Sequence, residues 1–415
     1  MQKKPIRVAD LQFGMYIAEL DRPWTETPFM FQGFYLRTER QLEALRKHCR
    51  QVYIDFGRDD AGAATAPASQ PSAAASETIA AASNPGFQMG TAAYRDQTAI
   101  EKELHVAAEA YARAVKGLRE GFAPFARGSA VADGKQIADC VKRLADSVVR
   151  NPDALLLMSK MRDTTEPAHA RALQVSIYMM AFARFLQLER DQIHLLGVLG
   201  LLQDVGKLRL PAELLETERS PAPDDEAILR KHVDLSAHIL AVTPGLPPKL
   251  PALALLHHER QDGTGYPRRL KGYQIGMNGA MAAICDHYDA LLAPPPYGDG
   301  LSTSAALNAL LNERGTAFHG PLVEQFIRCI GSFPVGTAVE LSSGERGVVI
   351  GEDPMQRLKP KVVLVQDRSH KRIARRTIVD LAAKPKAKAA GGEPCRIRRA
   401  LSQGELKFDP AELFL

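Results

Sequence analysis

The sequence predicts a mainly α protein: a helical bundle with a small α/β domain before it and a small β-rich appendage after it. Three observations carry this expectation. Residues from about 93 to 330 show sustained helical periodicity and no alternating strand pattern, which points to an all-α bundle. After Pro334 the pattern turns to alternation, in VGTAVELSSGERGVVIGED and KPKVVLVQD. Ahead of the bundle lies AGAATAPASQPSAAASETIAAASNPG, rich in Ala, Ser and Pro with almost no bulky apolar residues. Such a stretch cannot bury enough surface to offset the entropy lost on ordering.

The first domain is expected over residues 1–57. Val8 to Leu20 alternates like a strand around Gly14, and FMFQGFYL is a second apolar run broken by Gly33. Arg37 to Cys49 reads as an amphipathic helix with Leu42 and Leu45 on one face, and QVYIDFG closes the domain as a short strand. Trp24, the single tryptophan, is expected to anchor a core or an interface. Residues 58–92 form the linker, expected to let the first domain move.

The bundle is assigned to residues 93–333. It opens with two long periodic stretches that end at Asn151-Pro152-Asp153, where Pro152 suits the first turn of a new helix. Further helices follow in ARALQVSIYMMAFARFLQL, DQIHLLGVLGLLQDVGKL, DDEAILRKHVDLSAHILAV, LPALALLHHERQ, AMAAICDHYDALL and SAALNALLNERG. Residues 334–383 are the β appendage, with Ser343-Gly344 as a hairpin-type turn, and 384–415 read as a basic, flexible tail.

Composition adds bounds. At 415 residues, 45% hydrophobic and 24% charged, the chain has the makeup of a soluble protein of two or three domains. Much of the net charge of +5 sits in KPKAKAA and RIRRA near the C-terminus, where a solvated tail is a better reading than a specific nucleic-acid site. Five scattered cysteines with no CxxC pair fit a reducing compartment. With no apolar h-region at the N-terminus and no run near the roughly 18 apolar residues of a membrane span, a cytoplasmic location is expected.

The chemistry concentrates in HHERQDGTGYPRRLKGYQI, residues 257–275. Taken singly, its parts are ambiguous. His257-His258 on an apolar helix could be packing residues, Asp262-Gly263 is a turn, and Tyr266 with Pro267 could merely shape the loop. Asp204-Val205-Gly206-Lys207 alone could be a helix end with a glycine cap, and His232 or His238 alone would be surface residues. Together the string resembles the signature of HD-GYP domains, the metal-dependent phosphodiesterases that open the bacterial second messenger cyclic di-GMP. The LDRPWTETPFMFQGF segment resembles a small domain of unknown function that often precedes them.

That resemblance implies an HD-type helical bundle and a set of metal ligands: Asp204, His232, His257, His258 and Asp286. It implies catalytic roles for Asp204 and for Lys207, the latter touching phosphate. It also implies a substrate or partner loop of Asp262, Gly263, Gly265, Tyr266, Pro267 and Arg268. Clustered His and Asp suit the task, because metal ions acidify a bridging water and clamp phosphoryl oxygens. The chain departs from the family where two ligand histidines should stand. Arg171 occupies one position and Gln203 the other, with His169 two residues before Arg171. Three expected positive groups align with Ala280, Pro295 and Thr217.

The implied cofactor is therefore a divalent metal, iron or manganese, at no more than one ion, or none. The implied function is a role in cyclic di-GMP signalling with catalysis impaired and action through nucleotide or protein binding. The alternative is an active phosphodiesterase releasing linear dinucleotide or GMP. Expected partners are cyclic di-GMP, a diguanylate cyclase or other signalling protein, and a second copy of the chain.

Overall fold

The computed structural model describes residues 3–13, 15–21, 34–36, 39–55, 89–126, 133–160, 167–215, 222–293, 300–351, 359–383, 395–401 and 405–406. Trp24, Thr217, Pro295 and nearly all of the linker lie outside the described residues. The chain divides into two compact units, residues 1–86 and 87–415.

In the first unit, β1 (Lys3–Arg7), β2 (Tyr16–Leu20), β3 (Phe34–Tyr35) and β4 (Gln51–Asp55) make an antiparallel sheet of order β1-β4-β2-β3. The expected amphipathic helix is α1 (Glu39–His48). Leu42 and Leu45 join Ile17, Leu36, Val52 and Ile54 in one core. Asp21 pins the return of the chain into β4 by accepting from the Arg50 and Gln51 backbone N–H groups at 2.7 and 3.0 Å.

The second unit is the bundle. Helices α2 (Ile100–Ala126) and α3 (Gly134–Arg150) pack together, and buried Glu103 of α2 accepts from Ser147 and Arg150 of α3 at 2.7–2.9 Å. Asn151 caps α4 (Pro152–Ser159) by accepting from the Asp153 N–H, with Pro152 in the first turn as expected.

The centre of the unit is the antiparallel pair α5 (Pro167–Phe185) and α6 (Arg190–Leu202). Both are apolar nearly all round, as buried helices are. The Ser176 hydroxyl crosses the seam to the Gly197 carbonyl at 2.7 Å. This pairing sets the start of α5, with Arg171, beside the end of α6, followed by Gln203.

After α6 the chain makes a 3-10 turn at Val205–Arg209, then α7 (Ala212–Leu215), α8 (Pro223–Arg230), α9 (His232–Val242) and α10 (Leu250–Ala254). Helices α11 (Gly276–Leu292), α12 (Thr303–Asn312) and α13 (Gly320–Ile330) complete the bundle. The helix expected through LPALALLHHERQ stops early. It ends at Ala254, and tighter turns, with Leu256 N–H on Leu253 and Glu259 N–H on Leu256, carry the two histidines.

The β appendage is an antiparallel sheet of β5 (Ala338–Leu341), β6 (Arg346–Gly351), β7 (Lys361–Gln366) and β8 (Arg372–Asp380), with Gly344 at φ 98° in the expected turn. A fifth strand, β9 (Ile397–Ala400), pairs with β5 and gives the order β8-β7-β6-β5-β9. This part of the chain was expected to be a flexible tail, so the strand is a correction. Ile397 packs among Phe333, Val339 and Leu341, while Arg398 and Arg399 both reach Glu340 at 3.1 Å. Read as a charge run, RIRRA hid a strand.

One close approach positions the site. The 3-10 turn lies against the start of α9, where Gly206 N–H donates to the Ser236 hydroxyl at 2.8 Å. A β-carbon on Gly206 would stand 2.2 Å from the His232 carbonyl oxygen and 2.5 Å from the Ser236 nitrogen. Gly206→Ala should therefore push α9 away and cost about 1–3 kcal/mol or more, read by denaturant unfolding. Ser236→Ala, which removes only the hydrogen bond, should cost about 1 kcal/mol.

Candidate metal centre

Four of the sequence-predicted ligands meet. One ligand atom from each of Asp204, His232, His257 and His258 lies within 4.8 Å of all the others. Asp204 arrives from the end of α6, His232 opens α9, and the adjacent histidines come from the turns after α10. Those turns matter, because neighbouring residues in a regular helix point about 100° apart. With the helix ended, the His257 and His258 rings sit 4.1 Å apart, centroid to centroid.

The hydrogen bonds orient the rings. His232 Nδ1 lies 2.6 Å from the Leu229 carbonyl and His257 Nδ1 lies 2.7 Å from the Ala254 carbonyl. A carbonyl only accepts, so both Nδ1 atoms carry the proton, and in the neutral ring each Nε2 is a lone pair. These two Nε2 atoms are 3.4 Å apart and lie 3.1 and 3.5 Å from Asp204 Oδ1. Asp204 Oδ1 is buried and accepts no hydrogen bond. Three electron-pair donors converging without a proton donor fit a cation. An outer ring of carbonyls that fixes the tautomers is the usual support of histidine ligands.

Asp286, expected among the ligands, is not in this cluster. It binds Arg171 instead, with Nη2 at 2.9 Å from its Oδ1. The other end of the guanidinium lies 3.5 Å from Asp289 Oδ2, one turn further along α11. Asp289 is fully buried, Asp286 nearly so, and Arg171 is about a quarter exposed at 26%. Burial acts against the charge on Arg171, but Asp286, Asp289 and Asp204 reverse that and hold it protonated more firmly than usual. Burial likewise acts to raise Asp286, and Arg171 overrides it, leaving the carboxyl well below its ordinary range. Sequence reasoning missed Asp289. The signal was its spacing of three from Asp286, which puts both carboxylates on one helix face.

Gln203 is buried, and neither its amide nitrogen nor its amide oxygen has a hydrogen-bond partner. Lys207 Nζ lies 2.7 Å from Asp204 Oδ2. Burial acts to raise Asp204, and the Lys207 ammonium leads the contacts that hold it well below the carboxylate range. His169 packs its ring on Phe122 at 5.2 Å, outside the ligand cluster. Ala280, where the resemblance expects an arginine, is a buried packing residue of α11.

The loop after His258 is stapled by a residue not singled out from the sequence. Glu259 is buried at 1% exposure, and its two carboxylate oxygens accept from the Arg268 and Leu270 backbone N–H groups, both at 2.8 Å. Asp262 turns the chain by accepting from Thr264, and Gly263 takes φ 81°. At Gly265 a β-carbon would come 2.4–2.6 Å from the backbone of Arg260, His258 and Glu259, so only glycine fits. The Tyr266–Pro267 peptide is cis.

Tyr266, expected in a substrate or partner loop, is half-buried: its ring stacks on His258 at 4.6 Å, and the Arg230 guanidinium lies 4.8 Å from its centroid. Arg268, Arg269 and Lys271 are the loop's exposed cations.

Fold and site together define an HD-domain protein. Residues 155–322 match the HD domain, and residues 3–133 match the domain of unknown function DUF3391, which runs past the expected boundary at 57 and takes in α2. The chain is 30% identical over 365 residues to the cyclic di-GMP phosphodiesterase PA4108 of Pseudomonas aeruginosa, covering 86% of this chain and 84% of that protein. It belongs to the HD-GYP family, with Gly265-Tyr266-Pro267 as the signature triplet. The cyclic di-GMP phosphodiesterase response regulator RpfG of Xanthomonas campestris is 31% identical over 147 residues, 35% of this chain and 39% of its own. The solved structure of Bd1817, an HD-GYP-type protein of Bdellovibrio bacteriovorus, aligns with TM-score 0.43 at 15% identity, covering 78% of this chain and 98% of that one. Among the described residues no helix is long and apolar enough to cross a membrane.

Two predictions follow from the loop and the cluster. Glu259→Gln replaces one acceptor by an NH2 group facing a backbone N–H, so it should cost about 1–3 kcal/mol and speed hydrogen exchange at residues 266–272. Burial, with His257 beside it, pushes His258 down to about 2. The unfolded imidazole takes a proton below about 6.5 and the folded one does not, so metal-free protein should lose stability as pH falls through that window. Between pH 7 and pH 5 the His258 share is about 2 kcal/mol. Denaturant unfolding of His258→Gln should show a flatter profile, and an unchanged one contradicts the assignment.

Proposed function

We propose that the protein binds cyclic di-GMP at a centre holding a single divalent ion, and that its hydrolytic step is impaired. The observation that carries this reading is the Arg171 guanidinium on Asp286 and Asp289. Those carboxylates are what a second ion would need. A permanent cation fixed on them repels another positive charge and uses the oxygens that would coordinate it. Gln203, a neutral and weak ligand at the neighbouring position, points the same way.

His232, His257, His258 and Asp204 would hold the one ion; the imidazoles suit iron, and the carboxylate would serve manganese. When bound, such an ion polarises a phosphoryl oxygen and acidifies its water. The side chains do the rest. The Leu229 and Ala254 carbonyls keep the imidazoles aimed inward, and Tyr266 shields His258 from water. Lys207, tethered to Asp204, places a positive charge beside the ion for a phosphate. Contact with a protein partner, a diguanylate cyclase included, would fall to Arg268, Arg269 and Lys271 rather than to Tyr266.

A second reading is supported by the relative from Pseudomonas aeruginosa, which is named as a phosphodiesterase: an active enzyme working with one ion and Arg171. Purified protein assayed with cyclic di-GMP and manganese or ferrous iron decides between them. The expected result is turnover at least about a hundredfold below two-metal relatives, with no more than one tightly held ion per chain by elemental analysis. Robust release of linear dinucleotide or GMP, abolished by Asp204→Ala, favours the second reading. The double change Arg171→His with Gln203→His should raise the metal count to two. It should also cost about 3 kcal/mol in metal-free buffer, since buried carboxylates lose their counter-charge.

A further inference from the structure

The two residues that replace ligand histidines share more than a loss. Arg171, Gln203 and Lys207 line one cleft of about 80 Å³, walled on its apolar side by Phe122, Ala172 and Val175. Gln203 is 1% exposed and its amide is unpartnered. The Arg171 Nε–H, which faces neither aspartate, is also buried and unpartnered. A buried amide without a partner is destabilising, and a buried guanidinium N–H no less so. Among the described residues nothing supplies the acceptor these donors require.

We propose that this cleft is a phosphoryl-oxygen site built in place of the second metal position. The proposal rests on the single-ion reading above. Its chemistry is recognition of one phosphate group by the Arg171 Nε–H, the Gln203 NH2 and the Lys207 ammonium. Size agrees: small-ligand pockets run to about 300–1,000 Å³, so the cleft takes one phosphoryl group of a phosphodiester and leaves the rest of a dinucleotide outside. Charge agrees as well. Three carboxylates, Asp204, Asp286 and Asp289, outnumber Arg171 and Lys207 while the histidines are empty. With a divalent ion on the histidines the balance turns positive by one charge. Anion binding is therefore metal-linked, and by reciprocity phosphate tightens the ion. On this view Arg171 and Gln203 exchange catalytic water activation for retention of the phosphate.

Calorimetric titration of inorganic phosphate into full-length, manganese-loaded protein tests this, with Gln203→Leu and Gln203→Glu beside the wild type. The expected result is phosphate binding by the wild type, weakened about tenfold by Gln203→Leu, the loss of one charge-assisted hydrogen bond. Gln203→Glu keeps the shape of the side chain and should abolish phosphate binding while retaining the ion. Thermal unfolding of each variant checks the fold, and Gln203→Glu carries the test if Gln203→Leu does not fold. Phosphate affinity equal in wild type and variants, at equal manganese content, overturns the site. Elemental analysis of the same samples separates the two readings. A wild type holding no metal overturns the single-ion centre and the cleft with it. A wild type holding one ion but no phosphate overturns the cleft alone.

Discussion

Two buried carboxylates on one face of α11 need a positive charge, and the bundle supplies it from α5. Asp286 and Asp289 sit in surroundings where an uncompensated charge would cost several kcal/mol each. An ion could meet that need, and so can a guanidinium with two arms. Arg171 reaches both aspartates because the α5–α6 pairing places the start of α5 beside the end of α6 and opposite α11. The charge pattern that elsewhere serves metal binding is here satisfied from within the chain. The histidine cluster, meanwhile, brings donor atoms of Asp204, His232, His257 and His258 within 4.8 Å of one another. One half of the centre is neutralised by the guanidinium, and the other half is the histidine cluster.

The histidine half depends on backbone carbonyls and glycines more than on its residues' neighbours in sequence. Leu229 and Ala254 contribute only a carbonyl each, yet they decide which imidazole nitrogen faces inward. Gly206 lets the turn carrying Asp204 touch the first residues of α9, and Gly265 lets the loop fold back on His258. Tyr266 stacks on His258, and Arg230 packs against the Tyr266 ring. Each is a constraint on distance, so side chains from three separate segments meet within a few ångströms.

Much of this was legible in the sequence because it was periodic or spaced. The helical bundle, the cap at Asn151-Pro152 and the alternation after Pro334 are local patterns, and local propensity settled them. Asp204, His232, His257 and His258 carried spacing and a neighbouring Gly-Tyr-Pro. What stayed hidden were facts of orientation. The sequence placed His257 and His258 on a helix that ends at Ala254, because the apolar run LPALALL reads as helix throughout while the chain leaves it for tighter turns. The pairing of Asp286 with Arg171 at 2.9 Å was not legible, because the two residues are 115 apart in the chain. The packing of Tyr266 between His258 and Arg230 could not be read locally, because Arg230 is 36 residues away in α8. Glu259 was passed over between two histidines and an arginine, although its carboxylate holds the loop.

The strand β9 bears on how the chain tolerates being cut. Its pairing with β5 covers what would otherwise be the open edge of the C-terminal sheet. It also brings Arg398 and Arg399 to Glu340, which is only 8% exposed. A version of the chain that ends near residue 383 would keep every catalytic-type side chain and every helix. It would also present the bare N–H and C=O groups of β5 to solvent, with a carboxylate stripped of two of its partners. Unprotected edges recruit strands from other molecules, and β9 puts an edge carrying Arg398 and Arg399 in place of the apolar edge of β5.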